Sequence, residues 1–154
     1  MSSNITLGVR NSPNEVRYVL LENHGDGTTC FMNHAGENRL QYPASLTETK
    51  DRLKWLKDEL DRIFRQTPGI RQVVIKTNEF TGSETKPKRE SAYADAICIL
   101  VAAEHSVPVS CKLYTQMGST SGEAKNHAEN RVGRTAKHWD TRIADAALAA
   151  YSVR

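Results

Sequence analysis

The chain has 154 residues, 38% of them hydrophobic and 25% charged, with a formal net charge of +3. These values are typical of one globular domain, which we place at residues 1–154, and the mildly basic charge permits an anionic partner without requiring one. The sequence excludes a membrane-spanning helix, because it contains no run of about 18 consecutive apolar residues.

The first part of the chain predicts an antiparallel meander of three strands. We expect these strands over residues 4–9, 15–23 and 28–33, where apolar residues alternate with polar ones or form short runs. Short polar turns separate the strands, and the two glycines of the segment HGDG suit a hairpin.

The hydrophobic period then changes to that of a helix. Leucine and isoleucine recur at three- and four-residue intervals over residues 47–66, and Ser45 with Glu48 has the spacing of a capping box. The segment TPG ends this helix. The segment RQVVIKT predicts a fourth strand, whose continuous apolar run indicates burial on both faces.

The remaining sequence predicts one more strand and three helices. A polar loop is expected over residues 78–90, then a buried alanine-rich helix over residues 91–106 and a fifth strand over residues 107–114. A polar helix capped by Ser121 and a final helix over residues 139–152 follow. The order βββαβαβαα indicates an α/β fold in which a five-stranded mixed sheet, antiparallel over its first three strands, carries helices on both faces.

The cysteines and histidines give little sign of chemistry. Cys30, Cys98 and Cys111 are too scattered for a disulfide framework and form no CxxC pair, so we expect reduced thiols in the core. The five histidines show neither HxxxH nor HExxH spacing, and we expect no metal ligand among them. The opening segment MSSNITLGVR lacks the features of a signal peptide, so we expect a cytoplasmic protein that has no membrane partner.

The order of elements and several local sequences resemble the RuvC-type Holliday-junction resolvases of the ribonuclease-H-like superfamily. The segments that carry this resemblance are LGVRNSP, VVIKTNEF, SAYADAICILVAAEHSVPVSCKLYTQM, GEAKNHAENRV and RIADAALAAY, which cover most of the chain in the family's order. The resemblance implies the ribonuclease-H-like fold. It also implies a site in which four carboxylates hold two divalent metal ions that cleave a phosphodiester.

The positions that match those four carboxylates are mostly basic in this chain. They fall on Arg10, Lys76, Arg142 and Asp145, which give three cations and one anion and so a net charge of +2. At an effective dielectric constant of about 20, one unit charge about 4 Å from a divalent ion contributes roughly 8 kcal/mol, so this reversal opposes metal binding. We therefore expect no metal cofactor, and Mg²⁺ only if acids have been relocated to the site from Glu79 or Asp140.

Two interpretations of these positions are open. The basic side chains and Asp145 either form a structural ion cluster, or Arg10, Lys76 and Arg142 form a pocket that holds a phosphate without cutting it. Further basic residues are concentrated in two segments and are candidates for contacting a nucleic-acid backbone. These residues are Lys86, Lys88, Arg89, Lys125, Arg131, Arg134 and Lys137.

The sequence thus supports three functional hypotheses. The first is a catalytically inactive ribonuclease-H-like protein that binds DNA or RNA. The second is a divergent Mg²⁺-dependent, structure-selective endonuclease that uses Asp145 with relocated acids, and the third is a scaffold or regulatory protein with no nucleic-acid role. The resemblance also implies a homodimer, for which the long apolar helix is a candidate surface.

Overall fold

A computed structural model describes residues 4–154. In chain order, its strands are β1 (Ile5–Asn11), β2 (Glu15–Asn23), β3 (Thr29–Phe31), β4 (Arg39–Gln41), β5 (Ile70–Lys76) and β6 (Val109–Lys112). Its helices are α1 (Thr49–Gln66), α2 (Lys86–Glu104), α3 (Ala124–Arg131) and α4 (Thr141–Tyr151), and a short 3₁₀ turn, Thr115–Met117, precedes α3.

The sheet is mixed, and its order is β3-β2-β1-β5-β6. Strand β2 pairs antiparallel with β1 and β3, whereas β5 is parallel to β1 and to β6. This arrangement confirms the α/β fold class, with the meander at one side of the sheet and the parallel strands at the other. The structure adds one short strand, β4, which the sequence does not predict. It pairs with the first residues of β2, whereas β3 pairs with the last residues of β2.

The alternation of side chains along the central strand assigns the helices to the two faces of the sheet. Ile5, Leu7 and Val9 pack with residues of α1 and α2, whereas the intervening positions of β1 lie on the opposite face, against α4, which in turn packs on α3. Helices therefore cover both faces, as the sequence predicts. The strand order also brings Arg10 of β1 beside Lys76 of β5 as a register pair, at the end of the sheet where both strands finish.

Helix α4 lies very close to the sheet because small residues meet there. A Cβ atom placed on Gly8 of β1 would lie 2.1 Å from the backbone oxygen of Ala146 and 3.0 Å from the Cβ of Ala150. The facing surface of α4 is built from fully buried alanines. This close approach fixes where α4 holds its single acid, Asp145.

The starts of three helices differ from the predictions. Helix α1 begins after Glu48, with no side-chain cap among the described residues, so the expected capping box with Ser45 is wrong. Helix α3 likewise begins after Glu123 rather than at a Ser121 cap, and the hydroxyl of Thr120 accepts a hydrogen bond from the Glu123 amide at 3.3 Å. Helix α2 begins at Lys86, after an N-cap at Thr85, because a proline in the first turn starts a helix rather than breaking it.

Helix α2 is buried on only one side, although its apolar sequence predicts burial throughout. Tyr93, Ile99 and Leu100 are exposed on its outer side, together with three alanines. A strip of apolar side chains therefore faces solvent along this helix. Within residues 4–154, no helix has both the length and the apolar character needed to cross a membrane, and the cytoplasmic location stays a prediction.

Candidate functional site

The end of the sheet where β1 and β5 finish gathers three of the four positions that match the family's carboxylates. Arg10 and Lys76 lie side by side on the face of the sheet that α4 covers. Asp145 lies on α4, which packs over this face of the sheet, and one of its carboxylate oxygens lies 3.3 Å from the Arg10 Nε atom. The structure thus places the Asp145 carboxylate in contact with Arg10 and close enough to Lys76 to feel its charge, in a largely buried cluster.

Both carboxylate oxygens of Asp145 have hydrogen-bond or ion-pair partners within the protein. Besides Arg10, the hydroxyl of Tyr114 donates to its carboxylate, at 2.9 Å from one oxygen and 3.0 Å from the other. Burial raises the pKa of Asp145 above its ordinary value, and the charge of Arg10 and the Tyr114 hydrogen bond offset only part of that effect. The carboxylate is 3% exposed, which leaves it little access to solvent ions.

Lys76 is completely enclosed, with a side chain that is 0% exposed. Its ammonium group lies 3.1 Å from the carboxylate of Glu79, donates to the backbone carbonyl of Thr77 and sits 4.1 Å from the centre of the Tyr114 ring. Burial lowers the pKa of Lys76, and the hydrogen bond to Glu79 opposes this shift. Lys76 is therefore engaged internally, which disfavours the predicted role for it in a phosphate pocket.

Glu79, a candidate relocated acid, lies beside the cluster as a counter-ion. One of its oxygens accepts from Lys76 and also from the backbone amide of Tyr114, at 3.1 Å in each case. Partial burial acts against ionisation, but these two hydrogen bonds lower the pKa of Glu79 below its ordinary value. The side chain thus stabilises the buried lysine.

These residues do not fit a divalent metal ion of the kind that the fold family holds. Mg²⁺ takes hard oxygen ligands and needs negative charge around it. Here the two carboxylates in the cluster, Asp145 and Glu79, already accept from Arg10, Lys76 and Tyr114, and two cationic groups occupy the same space. Neither carboxylate of this cluster is therefore free to hold such an ion.

The remaining two candidate positions lie in a second ionic network, around Glu15. Arg142 lies 3.1 Å from a Glu15 oxygen and keeps a side chain that is half exposed. Asp140 accepts from the Ile143 amide at 3.0 Å, which caps α4, and its other oxygen lies 3.2 Å from Arg17. The Asp140 carboxylate is thus engaged as a helix cap and as an ion-pair partner.

A cleft of about 180 Å³ opens beside the buried cluster, at the N-terminal end of α2. Three cationic side chains, Arg10, Lys88 and Arg142, line it. Its other lining residues are uncharged, so none of the described residues that line it carries a carboxylate; they are Asn11, Ser12, Pro13, Asn78, Pro87 and Ser91. The charged side chains that line this cleft are therefore all cationic, although Arg10 and Arg142 are also paired with acids outside the lining.

Sequence reasoning missed two residues that complete the site. Tyr114 joins Lys76, Glu79 and Asp145, yet it appeared only as the last residue of a predicted strand. Asp95, on α2, accepts from the Asn11 side chain at 2.7 Å, and burial raises its pKa. A lone acid inside the run AYADAICIL was the available signal for Asp95.

The expected core position is confirmed for Cys98 but is wrong for Cys30 and Cys111, which lie exposed on the outer strands β3 and β6 of the sheet order. Cys98 is fully buried on α2, and burial raises the pKa of its thiol to about 12, so it carries no thiolate near neutral pH. Cys111, on β6, is exposed.

Several of the predicted nucleic-acid contacts are engaged within the protein. Arg131 donates to the backbone carbonyls of Met117 and Gly118 at 2.8 Å each, and so holds the loop before α3. Arg89 and Arg134 each lie close to an acid, at 3.1 Å and 3.2 Å respectively. Lys86, Lys125 and Lys137 are exposed, whereas Lys88 is half-buried at the cleft.

Comparison with known proteins gives matches at the level of structure. No protein-family model matches the sequence, and no curated protein matches it. Among solved structures, RuvC of T. thermophilus in complex with a Holliday junction substrate has a TM-score of 0.77 at 13% identity, covering 96% of this chain and 91% of that one. A second structure of Thermus thermophilus RuvC has a TM-score of 0.75 at 14% identity, and the match covers 96% of this chain and 92% of that one. The yeast mitochondrial Holliday junction resolvase has a TM-score of 0.59 at 10% identity, and the match covers 97% of this chain and 78% of that one. The chain therefore has the ribonuclease-H-like fold of the RuvC-type Holliday-junction resolvases, as its sequence predicts.

Proposed function

We propose that this protein binds the backbone of a nucleic acid at the Arg10, Lys88 and Arg142 cleft and does not cleave it. The observation that carries the proposal is that three cationic side chains line this cleft and none of its described lining residues is acidic. Arg10 and Arg142 each contact one acid outside the lining, Asp145 at 3.3 Å and Glu15 at 3.1 Å, and still border the cleft. Arginine and lysine pair with phosphate oxygens through charge-assisted hydrogen bonds, and the planar guanidinium can bind two oxygens at once.

The position of the cleft supports a nucleic acid as the source of the phosphate. The cleft adjoins the cluster of Arg10, Lys76 and Asp145, whose positions the sequence resemblance assigns to the family's metal site. The solved structure of a RuvC bound to a Holliday junction shares this fold. A phosphate at the cleft would lie at the same end of the sheet.

The buried cluster supports binding without cleavage. Hydrolysis of a phosphodiester by this fold uses metal ions to activate water and to stabilise the leaving oxygen. Arg10 and Lys76 instead neutralise the two carboxylates, Asp145 and Glu79, that would have to hold such an ion. A cationic cleft can hold a phosphate in the ground state but supplies no activated nucleophile.

The experiment is a binding titration by fluorescence anisotropy, with labelled four-way junction, duplex and single-stranded DNA and single-stranded RNA, in EDTA at low salt. We expect the binding affinity to fall steeply as the salt concentration rises. On duplex DNA, a tenfold rise in salt should lower the logarithm of the association constant by about 0.9 for each phosphate that the protein contacts. Arg142→Ala and Lys88→Ala should each weaken binding and reduce the salt slope by about one phosphate contact.

Lys54→Ala is the matched control, because it removes one positive charge from an exposed pair on α1 and should leave binding nearly unchanged. If Lys54→Ala and Arg142→Ala lowered the binding affinity equally, the net charge of the protein, and not the cleft, would be what attracts the nucleic acid. Absence of binding at low salt would contradict the proposal and favour a scaffold role. Cleavage of the junction with Mg²⁺ or Mn²⁺, lost in Asp145→Asn, would favour the endonuclease.

We further propose that the exposed apolar strip of α2 is the contact surface of a homodimer. Tyr93, Ile99 and Leu100 are each about two-fifths exposed or more, and contiguous apolar side chains of this kind mark interaction surfaces. Sedimentation equilibrium should give a dimer for the wild type and a monomer for Leu100→Glu. Met32→Glu, at an exposed apolar residue off this helix, should remain dimeric, and a monomeric wild type would contradict the proposal.

A further inference from the structure

We propose that Glu22, His24 and Cys30 form a binding site for a divalent transition-metal ion of the zinc type, at the hairpin between β2 and β3. One donor atom from each of these residues lies within 4.8 Å of the other two. The set combines a carboxylate oxygen, an imidazole nitrogen and a thiol sulfur. These are the three ligand types that zinc sites in proteins use.

The pairing of the hairpin explains why these side chains meet. Glu22 and Cys30 are direct partners in the antiparallel ladder, so their side chains leave the same face of the sheet. His24 lies two residues beyond Glu22 and therefore on that face as well. The three ligands converge across the strands, in a pattern that spacing along one strand does not reveal.

The separations between the donor atoms match those of a tetrahedral metal site. With zinc–sulfur bonds of about 2.3 Å and zinc–nitrogen and zinc–oxygen bonds of about 2.1 Å, tetrahedral angles place the donor atoms about 3.4–3.6 Å apart. The observed distances are 3.4 Å from Cys30 Sγ to His24 Nε2, 3.9 Å from Cys30 Sγ to Glu22 Oε1 and 3.7 Å from His24 Nε2 to Glu22 Oε1. Shifts of about 0.3 Å would therefore place all three on one ion.

The turn that carries His24 is held by its own hydrogen bonds. The amide of His24 donates to the Thr28 carbonyl at 2.9 Å, and the amide of Gly27, in a left-handed conformation at φ +90°, donates to His24 at 3.1 Å. Asp26 accepts from both the amide and the hydroxyl of Thr28. Binding therefore requires little ordering of this loop, and that lowers the entropic cost of assembling the ligands.

The site leaves one coordination position for solvent. The Glu22 side chain is about one-third exposed, and His24 and Cys30 are exposed, so water can complete a four-coordinate ion. On binding, the thiol proton of Cys30 is released to solvent, because the thiolate is the ligand. Thiolate and imidazole favour zinc, cobalt or copper over magnesium.

This site is separate from the cationic cleft and does not rest on the proposed nucleic-acid function. In the β1–β2 ladder Glu22 is the partner of Ile5, whereas Arg10 is the partner of Arg17, so the two sites lie at opposite ends of these strands. Any effect of the metal ion on the cleft would have to pass along the sheet.

The test is a titration of the metal-free, reduced full chain with Co²⁺, followed by competition with Zn²⁺. We expect one Co²⁺ per chain, with the near-ultraviolet absorption of a thiolate-to-cobalt charge transfer, and loss of that absorption when Zn²⁺ is added. Cys30→Ser should abolish the absorption. Cys30→Ser and Glu22→Gln should each weaken Zn²⁺ binding at least about tenfold. Even substitution of a residue that only hydrogen-bonds to a metal ligand commonly weakens metal binding by about that factor.

Cys111→Ser is the control, because it removes the other exposed cysteine and should leave the titration unchanged. Circular dichroism of Cys30→Ser should match the wild type, since the side chain is exposed. The proposal is overturned if no thiolate absorption appears, if it persists in Cys30→Ser, or if it is lost in Cys111→Ser.

Discussion

Asp145→Ala should lower the free energy of unfolding by about 3 kcal/mol, at the lower end of the range for breaking buried ion pairs. The substitution leaves the guanidinium of Arg10 without the carboxylate that lies 3.3 Å away, and it leaves the Tyr114 hydroxyl without its acceptor. The loss is at the lower end because the Arg10 side chain keeps 19% of its surface exposed and can turn toward water. Urea unfolding at pH 7, followed by circular dichroism, measures the change.

The matched control is Asp58→Ala, which breaks the exposed pair with Lys54 on α1 and should cost about 0.5 kcal/mol or less. Equal losses in the two variants would contradict a special role for the buried pair. Asp145→Asn should cost less than Asp145→Ala, because the amide oxygen can still accept the Tyr114 hydrogen bond, although Arg10 loses its counter-charge in both variants.

The direction of the Asp145 pKa shift also gives an expected dependence on pH. The pKa of this carboxyl in the folded protein lies above its ordinary value of 3.8, so the folded state binds the proton more tightly than the unfolded state does. Its contribution to stability is complete below pH 3.8 and is lost as the pH rises through the folded pKa. Wild type should therefore be most stable relative to Asp145→Asn at low pH and should lose that advantage toward neutral pH.

Gly8→Ala should destabilise the protein by about 3 kcal/mol or more, the upper range for overpacking a core. The added methyl carbon would lie 2.1 Å from the backbone oxygen of Ala146, so α4 has to move as a unit. Because α4 also carries Asp145, that movement would separate Asp145 from Arg10. Urea unfolding measures the stability, and anisotropy with the best-binding nucleic acid reports whether the cleft changes as well.

Gly122→Ala provides the comparison, because a Cβ atom there meets nothing within 4 Å among the described residues. Its free energy of unfolding should change by about 0.5 kcal/mol or less, as at an ordinary surface position. Similar stabilities for Gly8→Ala and the wild type would mean that α4 does not depend on this close approach.

The fold was largely predictable because its elements have strong and distinct periodicities. Strand β5 reads as a continuous apolar run and is buried over most of its length, and the regular leucines of α1 face the core. For the first turn of α2 the sequence predicts a loop, since KPKRE is polar and contains a proline. Tertiary packing and the Thr85 cap, rather than the hydrophobic pattern, set that boundary.

The candidate site was predictable only in part, because contacts between distant segments determine it. The sequence identified Arg10, Lys76 and Asp145 through their matched positions. It did not show that Lys76 is enclosed or that Lys88 would join Arg10 at a cleft. The meeting of Glu22, His24 and Cys30 depends on the register of a hairpin, so the spacing of histidines along the chain does not reveal it.

The buried cluster around Tyr114 also restricts how this protein can change during evolution. A carboxylate introduced at position 76 alone would lie enclosed beside Asp145 and Glu79, where like charges repel and no cation remains except Arg10. An acid introduced at position 10 alone would take from Asp145 its nearest ion-pair partner. Either of these single substitutions therefore gives a less stable protein, so we expect a metal-binding set of carboxylates to arise at this cluster only through several substitutions made together.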